Sequence, residues 1–282
     1  MRPAVDVVVP FLGDERALLA LLDRTRELEL RSGDSLTVVD NSQAPTGPPP
    51  APEVLRAPER QSSYYARNRG AARGQAPWLL FLDADVMAPP DLVDRYFADP
   101  IPERTGVLAG TIEDVAPTGG SRLALRYARV SHPLDDDNTW RPGFAYAQTA
   151  SAAVRRTAFE EIGGFAEVRS GGDADLCFRI AEAGWRIERR PGAVVNHRSR
   201  ATLKALMRQY LRYGAGAAWL EARYPGFAPT IRARPMILEV LRGALSATRA
   251  GLRGDGDRAA RRAVYPLCQA AFAVGQRLSN DV

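Results

Sequence analysis

The run Trp78-Leu79-Leu80-Phe81-Leu82, closed by Asp83-Ala84-Asp85, constrains this chain more than any other segment. Five consecutive apolar residues have no polar alternation, so they read as a strand buried on both faces of a parallel sheet. Sheets of that kind bind ligands beyond the carboxyl ends of their strands, and this is where the two acids fall. In extended chain, residues two apart project to the same side, so both carboxylates could serve one ligand. Paired hard oxygens suit Mg²⁺ or Mn²⁺, ions that keep few protein ligands and share themselves with phosphate oxygens. A surface turn after a strand is the plainer alternative, because Asp is common in turns.

The surrounding pattern repeats the theme. Val5 to Pro10 reads as a first strand, a helix opens at Asp14-Glu15-Arg16 with Leu18, Leu19, Leu21, Leu22 and Leu28 on one broad face, and Leu36 to Asp40 is a second strand ending in an acid. Gln43 to Pro58 holds six prolines and is expected to be an extended loop. Tyr64 to Gly74 is expected as a short helix, Gly106 to Ile112 as a strand, 121–131 as a helix and Ala145 to Val154 as another strand. Asp173 to Ala183 is expected as a further helix with Gly184 as its C-cap, two short strands follow at 185–187 and 193–195, and the chain beyond Ser199 is helical. Strand–helix alternation implies parallel units with right-handed crossovers. The expected division is a catalytic unit over 1–199 and a basic helical region over 200–282 packed on it.

Composition bounds the partners. With 282 residues the chain can bury a large core, and no apolar stretch reaches the roughly 18–20 residues that cross a bilayer. Asp6 interrupts anything resembling a signal peptide, so a cytoplasmic location is the expectation. Cys177 and Cys268 make no disulfide framework. The net charge of +5 hides an asymmetry: residues 1–197 hold 23 bases against 28 acids, and residues 198–282 hold 15 against 5. A basic helical tail could meet an anionic membrane surface, an acidic acceptor or donor phosphates, or join two copies in a homodimer. Nucleic acid is excluded as a partner because no reading motif accompanies the charge.

Asp40 can accept hydrogen bonds from a base or ribose, with Asn41 and Ser42 extending the polar lip. A dinucleotide site would need Gly-x-Gly-x-x-Gly after the first strand, and Pro10-Phe11-Leu12-Gly13 does not supply it. The second acidic cluster, Asp173-Ala174-Asp175, follows Gly171-Gly172 at a helix start, where an ionised carboxylate is favoured and simple capping is the competing role.

Taken in order, the motifs resemble the inverting glycosyltransferases of family two, which have the type-A nucleotide-sugar-binding fold: an α/β, Rossmann-like mixed sheet flanked by helices. The motifs are Val7-Val8-Val9-Pro10, Val38-Val39-Asp40-Asn41-Ser42, Ala66-Arg67-Asn68-Arg69-Gly70, Phe81-Leu82-Asp83-Ala84-Asp85, Ala153-Val154-Arg155-Arg156, Gly163-Gly164-Phe165, Gly172-Asp173-Ala174-Asp175-Leu176 with Arg179, and His197. The resemblance covers about residues 4–200. It implies that Pro10, Phe11 and Asp40 line a nucleobase pocket, that Arg67 sits near the base or phosphates, and that Asp83 holds the ribose side beside Ala84. It further implies that Asp85 coordinates Mn²⁺ or Mg²⁺ on the diphosphate with His197 as a second contact, and that Asp173 deprotonates the acceptor hydroxyl. Trp140 and Gln148 fall on the acceptor side, with Asp175 as the reserve base. Arg155 and Arg156 support donor phosphates or lie on a helix face. His132 with Asp135-Asp136-Asp137 reads as a solvated loop. One position departs from the family: Gly172 stands where Glu usually precedes the base. A uridine diphosphate sugar is the default donor, with guanosine and thymidine open, and the acceptor is a glycan, a lipid-linked sugar or a small molecule. A sugar nucleotidyltransferase and a non-catalytic sugar-nucleotide-binding module are the alternatives.

Overall fold

The computed structural model describes residues 2–43, 47–117, 119–131, 139–231 and 233–282, with backbone alone for 233–237. The segment with His132 and Asp135–Asp137 lies outside the described residues. Val5–Phe11 (β1) is buried at every position and lies at the centre of an eight-stranded sheet. It pairs in parallel with Ser35–Asp40 (β2) on one side and Trp78–Leu82 (β4) on the other. The apolar run therefore does what its composition requires, with alternate residues entering opposite layers. Trp78, Leu80 and Leu82 join Val5, Val7, Val9 and Phe11 in one core, while Leu79 and Phe81 join Val8 and Val39 in the other. Truncating a fully buried ring such as Phe81 to alanine costs about 3–5 kcal/mol.

The strand order is β3-β2-β1-β4-β9-β6-β10-β5, where Val54–Arg56 is β3, Ser151–Arg155 is β9, Thr105–Val115 is β6, Arg186–Arg198 is β10 and Val86–Met87 is β5. Strand β9 runs antiparallel between β4 and β6, so the sheet is mixed. Three expectations need correction. The proline-rich segment is not all loop, since Val54–Arg56 pairs with β2; having only one neighbour, it tolerates adjacent prolines. The two short strands expected after the second acidic helix are one strand, whose register shifts between Arg190 and Val194. Pro191 lacks an N–H, and with Gly192 it forms the bulge there. The expected strand from Ala145 to Val154 splits: Phe144–Ala145 (β8) forms a ribbon with Trp140–Arg141 (β7), and only Ser151–Arg155 enters the main sheet.

Helices cover both faces. Glu15–Thr25 (α1) is capped by Asp14, whose carboxylate accepts from Ala17 N at 2.8 Å. Leu18, Leu21 and Leu22 are buried, whereas Leu19 is 46% exposed. Ser63–Ala71 (α2) is capped by Ser62. Leu92–Tyr96 (α3), Arg122–Ala128 (α4) and Arg156–Glu161 (α5) are short, and Gly172–Glu182 (α6) begins after Gly171, whose φ is +85°. After β10, Leu203–Arg223 (α7), Ala233–Leu252 (α8) and Gly256–Gly275 (α9) follow. Helices α7 and α9 cross through glycines: a Cβ on Gly214 would meet Phe272 O at 2.0 Å, and one on Gly275 would meet Leu211 O at 2.1 Å. Both cysteines are free and buried. Among the described residues no helix is long and apolar enough to cross a membrane.

Candidate active site

Because β1, β2 and β4 are parallel, Phe11, Asp40 and Asp83 emerge at one sheet edge. Asp40 is buried and accepts from Ser42 N at 3.1 Å, and Asn41 Nδ2 donates to Ala57 O and Arg60 O at 2.5 and 2.6 Å. Pro10 and Phe11 are buried in the strand, and the Phe11 ring packs into the core, so at this edge β1 presents mainly backbone.

The first acidic cluster does not sit in extended chain. Asp83-Ala84-Asp85 forms a turn between β4 and β5, with Val86 N donating to Asp83 O at 3.3 Å. Ala84 packs toward the core and accepts on its carbonyl from Arg24 at 2.7 Å. The flanking carboxylates turn to different partners. Asp83 forms a short ion pair with Arg67, which is 3% exposed, and Asp85 Oδ2 lies 3.1 Å from Arg200 and 3.6 Å from His197 Nε2. The turn replaces the simple two-residue alternation expected of a strand.

His197 reaches this point because β10 pairs antiparallel with β5, which sets His197 opposite Val86. Its Nδ1 is held by Asp114 at 2.8 Å, which leaves Nε2 facing Asp85. Burial lowers the imidazole pKa, but the hydrogen bonds to Asp114 and Asp85 outweigh it and bring the ring to about 9. Burial likewise raises the Asp85 carboxyl, and His197 and Arg200 overcome that and hold it below the ordinary range. Among the described residues there is no group of three or more His, Cys, Asp and Glu side chains arranged to hold a metal. A single carboxylate with one nitrogen, its far side fixed by a second acid, fits a divalent ion that takes its remaining ligands from phosphate and water. Arg200 and the imidazole proton occupy that carboxylate here, and a bound cation would replace them.

Asp173 opens α6 two residues after the positive-φ Gly171. Its Oδ1 accepts from Ala174 N at 3.1 Å and from the Tyr64 hydroxyl at 3.3 Å. Burial pushes its carboxyl up, opposed by the charge of Arg67, the Ala174 N–H and Tyr64. Gly172 acquires a reason here. A Cβ at that position would lie 2.9 Å from three ring atoms of Tyr64, so glycine lets the Tyr64 ring pack flat on the helix start while its hydroxyl reaches Asp173. Tyr64 and Arg67 lie on one face of α2 (i, i+3), the guanidinium 5.4 Å from the Tyr64 ring centre. These two side chains link Asp173 to Asp83: Tyr64 bonds the first, and Arg67 pairs with the second while its charge also acts on Asp173.

Asp175 faces the other way. It is fully buried, paired with Arg179 at 2.8 Å and hydrogen-bonded by the Tyr224 hydroxyl at 3.0 Å. Arg179 also donates to Ile162 O and Gly164 O at 2.7 and 2.8 Å. Two residues along a helix is about 200° of rotation, which is why the two aspartates diverge. Asp175 is an anchor in the core, and a role as reserve base does not fit its burial. Trp140 is half-buried beneath Arg189, 4.5 Å from its ring centre, and Gln148 is half-buried in the connection to β9. Arg155 ends the antiparallel strand β9 and Arg156 opens the helix after it, so both lie at the opposite edge of the sheet. Arg155 donates to Thr105 O at 2.8 Å, and Arg156 pairs with Asp6 at 2.6 Å. Neither is placed to support donor phosphates.

Tyr64, Asp114 and Arg200 were not singled out by the sequence. Asp114 lies two residues past an apolar run and Arg200 three past His197, which are signals of position only. The helical region also braces the start of α6: a Cβ on Gly216 of α7 would meet Ser170, one on Gly171 would meet Leu220, and Asn280 Nδ2 donates to Ser170 O at 2.9 Å.

Comparison with known proteins bears on the family and the fold. The model of Glycosyl transferase family 2 matches residues 6–163, and that of Glycosyl transferase family group 2 matches 134–269. The chain is 30% identical over 241 residues to a pre-mycofactocin glycosyltransferase of Mycobacterium tuberculosis, covering 78% of this chain and 48% of the relative. It is 27% identical over 165 residues to the glycosyltransferase AglE of Haloferax volcanii, covering 58% and 53%. The chain thus spans about half the length of the curated relatives it matches. Among solved structures, the mannosyltransferase PcManGT from Pyrobaculum calidifontis, in complex with GDP-Man and Mn²⁺, superposes with a TM-score of 0.63 at 19% identity, over 97% of this chain and 87% of that one. That likeness shows the type-A glycosyltransferase fold. With more than half its length matched by the family model and this fold beneath it, the chain belongs to glycosyl transferase family 2.

Proposed function

We propose that this protein transfers a sugar from a nucleoside diphosphate sugar to an acceptor hydroxyl by a single, inverting displacement. One observation carries the proposal: Tyr64 and Arg67 on one helix face join the candidate base Asp173 to the acidic turn at Asp83. Pro10, Phe11 and Asp40 border the nucleobase, Arg67 and Asp83 steady the ribose and phosphates beside Ala84, and Asp85 with His197 would hold Mn²⁺ or Mg²⁺. When bound, that ion supplies Lewis-acid neutralisation of the leaving diphosphate. Asp173 takes the proton of the acceptor hydroxyl as it attacks the anomeric carbon from the face opposite the leaving group. Its raised pKa suits a base, because burial strengthens its hold on the proton it receives. The charge of Arg67 nearby opposes that rise. Trp140 and Gln148 are assigned to the acceptor side, where burial leaves Asp175 no part in the chemistry. Residues 1–199 form the catalytic unit and 200–282 the helical brace.

A structural relative solved with GDP-Man and Mn²⁺ supports a nucleotide-sugar donor with a divalent ion. The acceptor class is a glycan, a lipid-linked sugar or a small molecule, and the donor base is uridine or guanosine. Release of nucleoside diphosphate from UDP- and GDP-sugars, with and without Mn²⁺, tests the reading. Metal-dependent release with inversion at the anomeric carbon is the expected result, and tight binding without turnover on every acceptor would contradict it.

A further inference from the structure

Helix α8 carries an apolar stripe that none of the described residues covers. Leu238, Leu241, Leu245 and Leu252 are 53, 57, 66 and 84% exposed. At 100° per residue the four lie within about 60° of one another, along roughly 20 Å of helix. The opposite side is the one that packs on α9: a Cβ on Gly243 would meet Arg262 O and Pro266 Cγ at 2.7 Å, and Ala250 is 5% exposed. The stripe is therefore the outer face of a helix that already has its partner. Arg242, Arg249 and Arg253 are exposed along one border of it. Arg242 is paired with Glu239 at 3.1 Å, while among the described residues no ion pair engages Arg249 or Arg253. These residues belong to the region with 15 bases against 5 acids.

We infer that the outer face of α8 docks the protein on an anionic lipid surface, lying in its plane with the leucines in the acyl boundary and the arginines at the headgroups. Charge decides the occupant. A second copy laid antiparallel along the same stripe would set one row of arginines against the other, whereas anionic headgroups complement the row. Length and composition agree with interfacial docking, because no described helix can cross a bilayer. The inference stands apart from the catalytic reading, since it uses no residue of the candidate active site.

The test is co-sedimentation of the full chain with vesicles of phosphatidylglycerol and phosphatidylcholine at 3:7, against phosphatidylcholine alone, at low and high salt. Binding should require phosphatidylglycerol and weaken severalfold or more as salt rises. Leu241→Asn with Leu245→Asn should weaken it by tenfold or more at an unchanged melting temperature, because both side chains are largely in solvent. As an independent variant, Arg249→Gln with Arg253→Gln should cost about fivefold per charge, about twenty-five-fold in all. Failure to bind phosphatidylglycerol vesicles at low salt overturns the inference, as does binding that the leucine pair leaves unchanged. A dimer that the leucine pair dissolves, without vesicle binding, would also overturn it and assign the stripe to a second copy.

Discussion

Acidic residues at the two edges of the sheet behave differently. At the amino edge, Asp6 is buried and saturated: Arg156 pairs with it at 2.6 Å, Ser35 Oγ donates at 2.5 Å and Ala76 N at 2.8 Å. A Cβ on Gly74 would collide with it. At the carboxyl edge, Asp83, Asp85 and Asp173 stay partly accessible, each held by cations or hydroxyls that a ligand can replace. Saturated carboxylates hold the fold, and incompletely satisfied ones are available for chemistry. The same contrast appears within one turn of α6, where Asp173 is partly accessible and Asp175 is fully buried.

Several substitutions would break or sharpen this contrast. The largest effect is expected at Asp173→Asn, with a loss of about 10³-fold or more in nucleoside diphosphate release. Asp175→Asn and Asp6→Asn should do the reverse, each destabilising the fold by about 3–5 kcal/mol through an abandoned arginine while turnover per folded molecule stays near wild type. Chemical unfolding alongside turnover separates the two classes, and equal activity losses at both edges would erase the distinction. Gly172→Ala comes next. Its methyl must displace the Tyr64 ring, so activity should fall by about tenfold or more with donor affinity preserved, an estimate from the sensitivity of catalysis to small misplacements.

The smallest effect is on pH dependence. Asp173 has a raised pKa, so the acid limb of kcat/KM should lie above that of an ordinary aspartate. Tyr64 pulls that value down, so Tyr64→Phe should move the limb to higher pH, and a limb that stays put would remove Tyr64 from the account. Linkage gives a matching sign for stability. A carboxyl whose folded pKa is raised contributes stability below its unfolded pKa and loses it as pH rises through the folded one. At neutral pH the Asp173 charge therefore opposes folding, and Asp173→Asn should melt slightly higher than the wild type.

The centre of the fold was legible because β1, β2 and β4 are apolar runs whose meaning does not depend on distant partners. The acids that close β2 and β4 were legible for the same reason. The direction of β9 was not, because Ser151–Arg155 reads alike in either sense, and that direction decides which edge receives Arg155 and Arg156. Leu19 shows the limit of periodicity, since it fits the apolar face by spacing yet stands half in solvent. Asp175 was misplaced because the acidic cluster was weighed as a unit, although helical rotation parts its members. Tyr64 and Arg200 could not be found locally, since each acquires its role from a residue more than one hundred positions away. Gly172 looked like a defect in the motif and is a packing requirement once Tyr64 is seen above it.

The most direct test that Asp85 and Asp173 serve one reaction is to compare binding and turnover in two variants with the same donor and Mn²⁺. Asp85→Asn should lose the Mn²⁺-dependent part of nucleoside diphosphate affinity, and Asp173→Asn should bind the diphosphate as the wild type does and fail to turn over. Retention of turnover within threefold by Asp173→Asn would contradict the account.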